Sequence, residues 1–115
     1  MADIVGTLNL VIPQGSDFKR ELTLKSAGVA IDITGWSFAA ELRAYHGGAL
    51  LAPFVFTIID AVNGRVDMTL TDVVTAALDA GLWVWDMERT NTVSEVRRLL
   101  EGAAEVTPEV TTGSP

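Results

Sequence analysis

Short runs in which apolar and polar residues alternate dominate the chain, and turn residues interrupt them about every ten positions. The clearest run, residues 36–44, places apolar side chains on one face: Trp36, Phe38, Ala40, Leu42 and Ala44. A period of two is typical of β-strands, because successive side chains point to opposite faces. Residues 8–12 and 83–87 repeat the pattern. Short strands at this spacing predict an all-β sandwich or barrel.

Glycine-containing pairs mark the predicted hairpins. Ala27-Gly28 predicts one turn, and Asn63-Gly64, the strongest such signal, joins the apolar run "LLAPFVFTII" to "RVDMTL". Pro53 marks a strand start or an edge strand. Near the end of the chain, "VSEVRRLLEGAAEVTPEV" predicts two last short strands about Gly102.

One segment, "TDVVTAALDAG", departs from the β pattern. Thr71 is a candidate N-cap, Asp72 suits the positive end of a helix dipole, and Gly81 follows the end. We predict one or two helical turns near residues 71–79 that cross between two sheets.

Length and charge limit what such a fold can do. A chain of 115 residues with a formal charge of −7 is expected to be one domain over residues 1–115, with flexible ends at 1–7 and 108–115. The acidity argues against a nucleic-acid partner, and no apolar run is long enough for a membrane span. No basic segment precedes the apolar N-terminus, which argues against a secretory signal.

The search for reactive groups predicts no catalytic, cofactor-binding or metal-binding residue. His46 is the only histidine and lies in a glycine-rich loop, and cysteine is absent. Asp86 and Glu88 share a strand face, but any strand with a polar face offers such a pair. "DAVNGRVD" fails the ligand spacing of a calcium loop. We therefore expect a protein that is not an enzyme.

The tryptophans and the most apolar strand are the candidate contact residues. Trp36 and Trp85 are in register with other apolar residues and are predicted in the core, whereas Trp83 begins its strand and is predicted to be half-exposed. Both faces of "APFVFTII" cannot be covered by one core. We therefore predict a partner interface at Phe54, Val55 and Trp83.

The order of motifs resembles a group of small tailed-phage and prophage proteins. The segments that carry the resemblance are "IPQGSDFKRELTLK", "VAIDITGWSFAAELR", "GRVDMTLTDVVTAAL", "GLWVWDMER" and "VRRLLEGAAEVTPEVT". Together they are similar to the N-terminal domain of siphophage baseplate upper proteins, from Gln14 to Val110. The resemblance implies an immunoglobulin-like antiparallel β-sandwich. Those proteins continue into a fibre-forming part, so this chain is expected to act as a stand-alone adaptor or plug.

The resemblance implies a virion structural protein that helps to attach tail fibres at the tail tip or baseplate. Its partners would be other virion proteins in the tail, the fibres or the head, with several copies in the particle. A head-decoration or head-to-tail completion protein is one alternative. A carbohydrate-binding module that uses tryptophans on one sheet face is an alternative of another class. Burial of both Trp83 and Trp85 would exclude the sugar-binding alternative.

Overall fold

A computed structural model describes residues 6–109. Its strands are β1 (Gly6–Thr7), β2 (Leu10–Pro13), β3 (Phe18–Thr23), β4 (Lys25–Ser26), β5 (Val29–Ala30), β6 (Ser37–Arg43), β7 (Leu50–Pro53), β8 (Val55–Asp60), β9 (Arg65–Leu70), β10 (Gly81–Thr90) and β11 (Val96–Thr107). One helix, α1 (Asp72–Ala76), lies between β9 and β10.

Two sheets form the sandwich. In the first, sheet A, the order is β11-β10-β6-β7, and β1 and β2 both pair with the outer side of β11. Sheet B has the order β3-β9-β8, and β4 and β5 form a small separate ribbon. The pairings of β1 and β2 with β11 are parallel, and the others are antiparallel. The predicted all-β, immunoglobulin-like sandwich with one short helix is confirmed.

The core lies between the facing sides of the two sheets, as the alternation predicts. Its largest fully buried side chains are Ile12, Ile33, Leu42, Val66, Met68, Trp85, Met87 and Val106. Phe54 links the layers, because its ring lies 6.1 Å from Phe18 of sheet B and 5.9 Å from Trp85 of sheet A. Tilted and edge-on aromatic pairs at such distances stabilise a core beyond the area that they bury.

Helix α1 carries the chain from sheet B to sheet A, as predicted. The Thr71 hydroxyl accepts a hydrogen bond from the backbone N–H of Val74, and Asp72 lies in the first turn. The buried Thr75 hydroxyl donates to the carbonyl of Ser16 at 2.7 Å and holds α1 against the loop before β3. Within residues 6–109, no helix is long and apolar enough to cross a membrane.

The turn before β6 is held by local hydrogen bonds. Asp32 accepts bonds from both the backbone N–H and the hydroxyl of Thr34, and these bonds lower the pKa of the Asp32 carboxyl. Gly35 follows with a φ of +79°, a conformation that favours glycine. The buried Ile33 lies between Asp32 and Gly35, and its N–H donates to the Ala61 carbonyl. The turn therefore connects β6 to the loop between β8 and β9.

The prediction of two short strands about Gly102 is wrong, because β11 runs unbroken through that glycine. A Cβ at Gly102 would lie 2.2 Å from the Leu8 carbonyl oxygen. That oxygen accepts a hydrogen bond from the Trp85 indole at 2.8 Å. Glycine is needed at this position because the N-terminal chain between β1 and β2 runs in close contact with β11.

The flexibility of the ends, residues 1–7 and 108–115, stays a prediction. Gly6 and Thr7 form β1, and the backbone N–H of Glu109 donates to the Gln14 side chain at 3.0 Å. Gly6 and Thr7 pair with Leu100 and Glu101 of β11. Residues 1–5 and 110–115 lie outside the described residues.

Candidate functional site

Residues 50–60 form a continuous extended segment that supplies one edge strand to each sheet. Its first part, β7, ends sheet A, and its second part, β8, ends sheet B. Phe54 lies at the crossing, where its N–H donates to the Ala40 carbonyl at 2.9 Å. We call residues 50–60 the edge ribbon. Because β7 and β8 each have a neighbour on one side only within residues 6–109, both have a side that no described strand pairs with.

The edge ribbon is strongly apolar at its surface. Its exposed large side chains, with their exposed fractions, are Leu50 (47%), Leu51 (37%), Val55 (60%), Ile58 (39%) and Ile59 (50%). Thr57 is also exposed, and Asp60 is the only ionisable residue in the segment. Natural edge strands usually carry charges that discourage pairing with other chains. This segment has none from residue 50 to residue 59.

The other free edge of sheet B shows the usual protection. β3 carries Lys19, Arg20 and Glu21 in succession, all exposed. Lys19 lies 3.7 Å from Glu21 and 3.5 Å from Asp67 on the neighbouring strand. An incoming apolar strand would have to desolvate these charges at β3 and would meet none over residues 50–59.

Two features limit pairing along the edge ribbon. Pro53 has no N–H to donate at the end of β7. The register between β8 and β9 shifts between Ile58 and Asp60, which marks an irregularity of the bulge type. The unprotected part between these two features therefore runs from Val55 to Ile59, and its pairing with β9 is regular as far as Ile58.

Of the three residues predicted at an interface, the structure places one within the exposed part of the edge ribbon. Val55 is exposed there, whereas Phe54 is 6% exposed and points into the core. The inclusion of Phe54 is therefore corrected, since the chain crosses between sheets at that residue. Trp83 is partly buried on β10 in sheet A, and its indole N–H donates to the Asp79 carbonyl at 3.0 Å. Contact of Val55 or Trp83 with a partner stays a prediction.

The tryptophans do not form an exposed platform. Trp85 lies in the core at 2% exposure and Trp83 packs against the core edge. Trp36 is partly buried and lies under the Arg89 guanidinium, whose central carbon is 4.9 Å from the ring centroid. The expected core position of Trp85 is confirmed.

A shallow groove lies on the outer face of sheet A. It has a volume of about 260 Å³ and is lined mainly by polar side chains that include Glu41, Arg43, His46, Asp86 and Glu88. Arg43 donates to Glu41 at 2.6 Å and to the Gly48 carbonyl at 2.7 Å, which holds the His46 loop against β6. Among residues 6–109, no group of three or more histidine, cysteine or acidic side chains could hold a metal ion.

Acidic residues in and beside this groove oppose one another across the sheet. Glu41, Asp86 and Glu101 occupy directly paired positions on β6, β10 and β11. Like charges in such positions repel. Arg43 contacts the first of them, and Arg98 contacts Glu101 at 2.9 Å. The arginines therefore offset the repulsion, and the groove stays a solvated polar face.

Sequence reasoning singled out the apolar run but missed how its exposed residues are distributed. Leu50, Leu51, Ile58 and Ile59 were not named as contact residues. The absence of charge over ten consecutive positions was the available signal. Arg89 was also missed: it follows Met87 at the next inward position of β10 and is 5% exposed. Period-two spacing alone would have placed it inside.

No family model matches the chain, and no curated protein matches it. Among solved structures, the chain is similar to CopC from Methylosinus trichosporium OB3b, with a TM-score of 0.51 and 9% identity over 95% of this chain and 89% of that one. CopC is a β-sandwich. At this identity the likeness shows the fold alone.

The comparison corrects the identification made from the motif order. The solved structure that the chain resembles is CopC of a bacterium and not a phage protein, and no family model or curated protein supports a baseplate protein. The tailed-phage function and the virion location are therefore wrong. The physical reason for the wrong identification lies in the fold. A small sandwich requires alternating strands, turns such as "DITGW" and a short crossover helix, and unrelated proteins can have these features in the same order.

Proposed function

We propose that this chain is a non-catalytic binding module that takes up another polypeptide by strand addition at the edge ribbon. The observation that carries the proposal is the exposed, uncharged edge from Val55 to Ile59. An added strand completes backbone hydrogen bonds along a free edge, and side-chain pockets on alternate positions supply selectivity.

Two further observations support a binding role without catalysis. His46, the only histidine, is exposed on a loop. In the groove beside it, Glu41 is bound to Arg43 rather than to a nucleophile or a general base. The formal charge of −7 favours a polypeptide partner over a nucleic acid.

A library of random peptides displayed on yeast tests the proposal. We expect the purified protein to select extended peptides with alternating apolar residues. Ile59→Lys should weaken their binding at least about tenfold, because the lysine places a charge beside the added strand.

Val11→Lys is the matched control for this experiment. Val11 is 58% exposed on β2, which also pairs on one side only, and β2 and β7 lie at opposite edges of sheet A. A change to lysine there should leave peptide binding unchanged. Failure to select any peptide, or peptides that bind Ile59→Lys as well as wild type, would contradict the proposal.

A further inference from the structure

We infer that the polypeptide that pairs with the edge ribbon is the edge ribbon of a second copy of this chain, in an antiparallel arrangement about a two-fold axis near Thr57. The inference rests on the proposed function, because it names the partner of the same edge. Two β8 strands would then join two copies of sheet B into one continuous sheet.

Charge along the edge favours this occupant. A strand that pairs with residues 55–59 buries no ionisable group on this side, so the incoming segment must also be free of charge to avoid an unpaired buried ion. Residues 50–59 themselves meet this condition. On the charged β3 edge, by contrast, a second copy of β3 would bring Lys19, Arg20 and Glu21 into the joint.

The position of Asp60 selects the antiparallel direction. Parallel pairing in register would place the two Asp60 carboxylates side by side. Antiparallel pairing centred at Thr57 sets Val55 of one copy opposite Ile59 of the other and separates the two Asp60 residues by roughly 20 Å at a rise of about 3.3 Å per residue. That separation exceeds the screening length of about 8 Å at physiological salt.

The available area predicts a weak dimer. The exposed fractions of Val55, Ile58 and Ile59, the apolar side chains of the paired strands, correspond to roughly 250 Å² per copy, about a third of the roughly 800 Å² that each partner contributes to a standard interface. Net charges of −7 on both copies also repel over short range. We therefore expect dissociation in the micromolar range, strengthened by salt.

Sedimentation velocity of the purified chain from about 1 µM to about 1 mM tests the inference. Wild type should shift from monomer to dimer over this range. Val55→Lys should raise the dissociation constant at least about tenfold, and Val11→Lys, of almost equal exposure, should leave it unchanged. A wild type that stays monomeric, or a dimer that Val55→Lys does not weaken, would overturn the inference.

A cysteine variant tests the direction of pairing, since the chain has no cysteine of its own. In Thr57→Cys, antiparallel pairing centred at Thr57 brings the two thiols into disulfide range, at a Cα separation of about 4.4–6.8 Å. Mild oxidation should link Thr57→Cys much faster than Val11→Cys. Equal rates would overturn the antiparallel arrangement.

The two experiments separate the inference from the proposed function. A monomeric wild type that still selects Ile59-dependent peptides would retain strand addition and exclude the second copy. A monomer that selects no such peptide would contradict both.

Discussion

Replacing Gly102 with alanine should destabilise the protein strongly, although the substitution adds one methyl group to the middle of a regular strand. The new Cβ would lie 2.2 Å from the Leu8 carbonyl oxygen and 2.8 Å from its carbonyl carbon. Both are backbone atoms, so no side-chain rotation relieves the overlap. The segment that joins β1 to β2 must therefore move away from β11.

The structure sets the size of the effect. Movement of Leu8 and Asn9 breaks three hydrogen bonds: Leu8 N–H to the Glu101 carbonyl (2.9 Å), Trp85 Nε1 to the Leu8 carbonyl (2.8 Å) and Ala103 N–H to Asn9 Oδ1 (3.0 Å). At about 1 kcal/mol each the loss is about 3 kcal/mol, and a buried indole N–H without a partner increases it. Alanine also lowers the conformational entropy of the unfolded chain, and this effect stabilises the folded protein by at most about 1 kcal/mol.

Urea and thermal unfolding, followed by tryptophan fluorescence and circular dichroism, measure this loss. We expect Gly102→Ala to lower the free energy of unfolding by about 2–4 kcal/mol and the melting temperature by roughly 10–20 °C. Gly6→Ala is the control in the neighbouring strand, because its Cβ would lie 3.1 Å from the end of the Leu100 side chain and no nearer than 3.8 Å to a backbone atom, the Leu99 carbonyl oxygen. A loss below about 1 kcal/mol for Gly102→Ala would refute the close approach as the reason for this glycine.

Further predictions concern the turns and the Arg89 cluster. Gly64→Ala should destabilise the protein by about 2–4 kcal/mol in urea unfolding, because Gly64 has a φ of +70° and its Cβ would lie 2.6 Å from the Leu24 carbonyl oxygen. Arg89→Lys should lower the free energy of unfolding by about 1–3 kcal/mol. A lysine ammonium cannot keep both the 2.8 Å hydrogen bond to the Glu95 carbonyl and the stacking on Trp36. An unchanged unfolding midpoint would contradict this prediction. Hydrogen bonds from Arg97 and then Arg89 lower the pKa of Glu95, so its contribution to stability is present above pH 4.5, the ordinary value, and is lost as the pH falls through the lowered folded value. Unfolding measured across this range should show a smaller acid loss in Glu95→Gln than in wild type.

Strand positions were predictable because a strand with one buried face must alternate. Residues 36–44 and 83–87 follow that rule, and the structure buries Leu42, Trp85 and Met87 on the expected face. The conformations of local turns were equally predictable from the sequence. The Ala27-Gly28 turn has φ values of +51° and +80°, the conformation that two-residue hairpins require.

Long-range contacts were not predictable in the same way. Gly102 looks like a break between strands unless one knows that Leu8, far away in the sequence, passes over it. Phe54 looks like any other residue of an apolar run, and only the crossing from sheet A to sheet B directs its ring between Phe18 and Trp85. Motif order misled the identification, because the motifs report the demands of the fold and not those of a function.

By itself, the sequence determined the all-β class, the positions of most strands, the short helix and the uncharged apolar run at residues 50–59. Those features depend on neighbours within a few residues, where alternation, capping and turn conformations act. The tertiary structure decided which strands became edges, and hence that this run has an unpaired side in both sheets. Whether a strand lies at an edge depends on the order of strands in the sheet. That order arises from contacts between segments that are distant in the sequence, so the local periodicity does not reveal it.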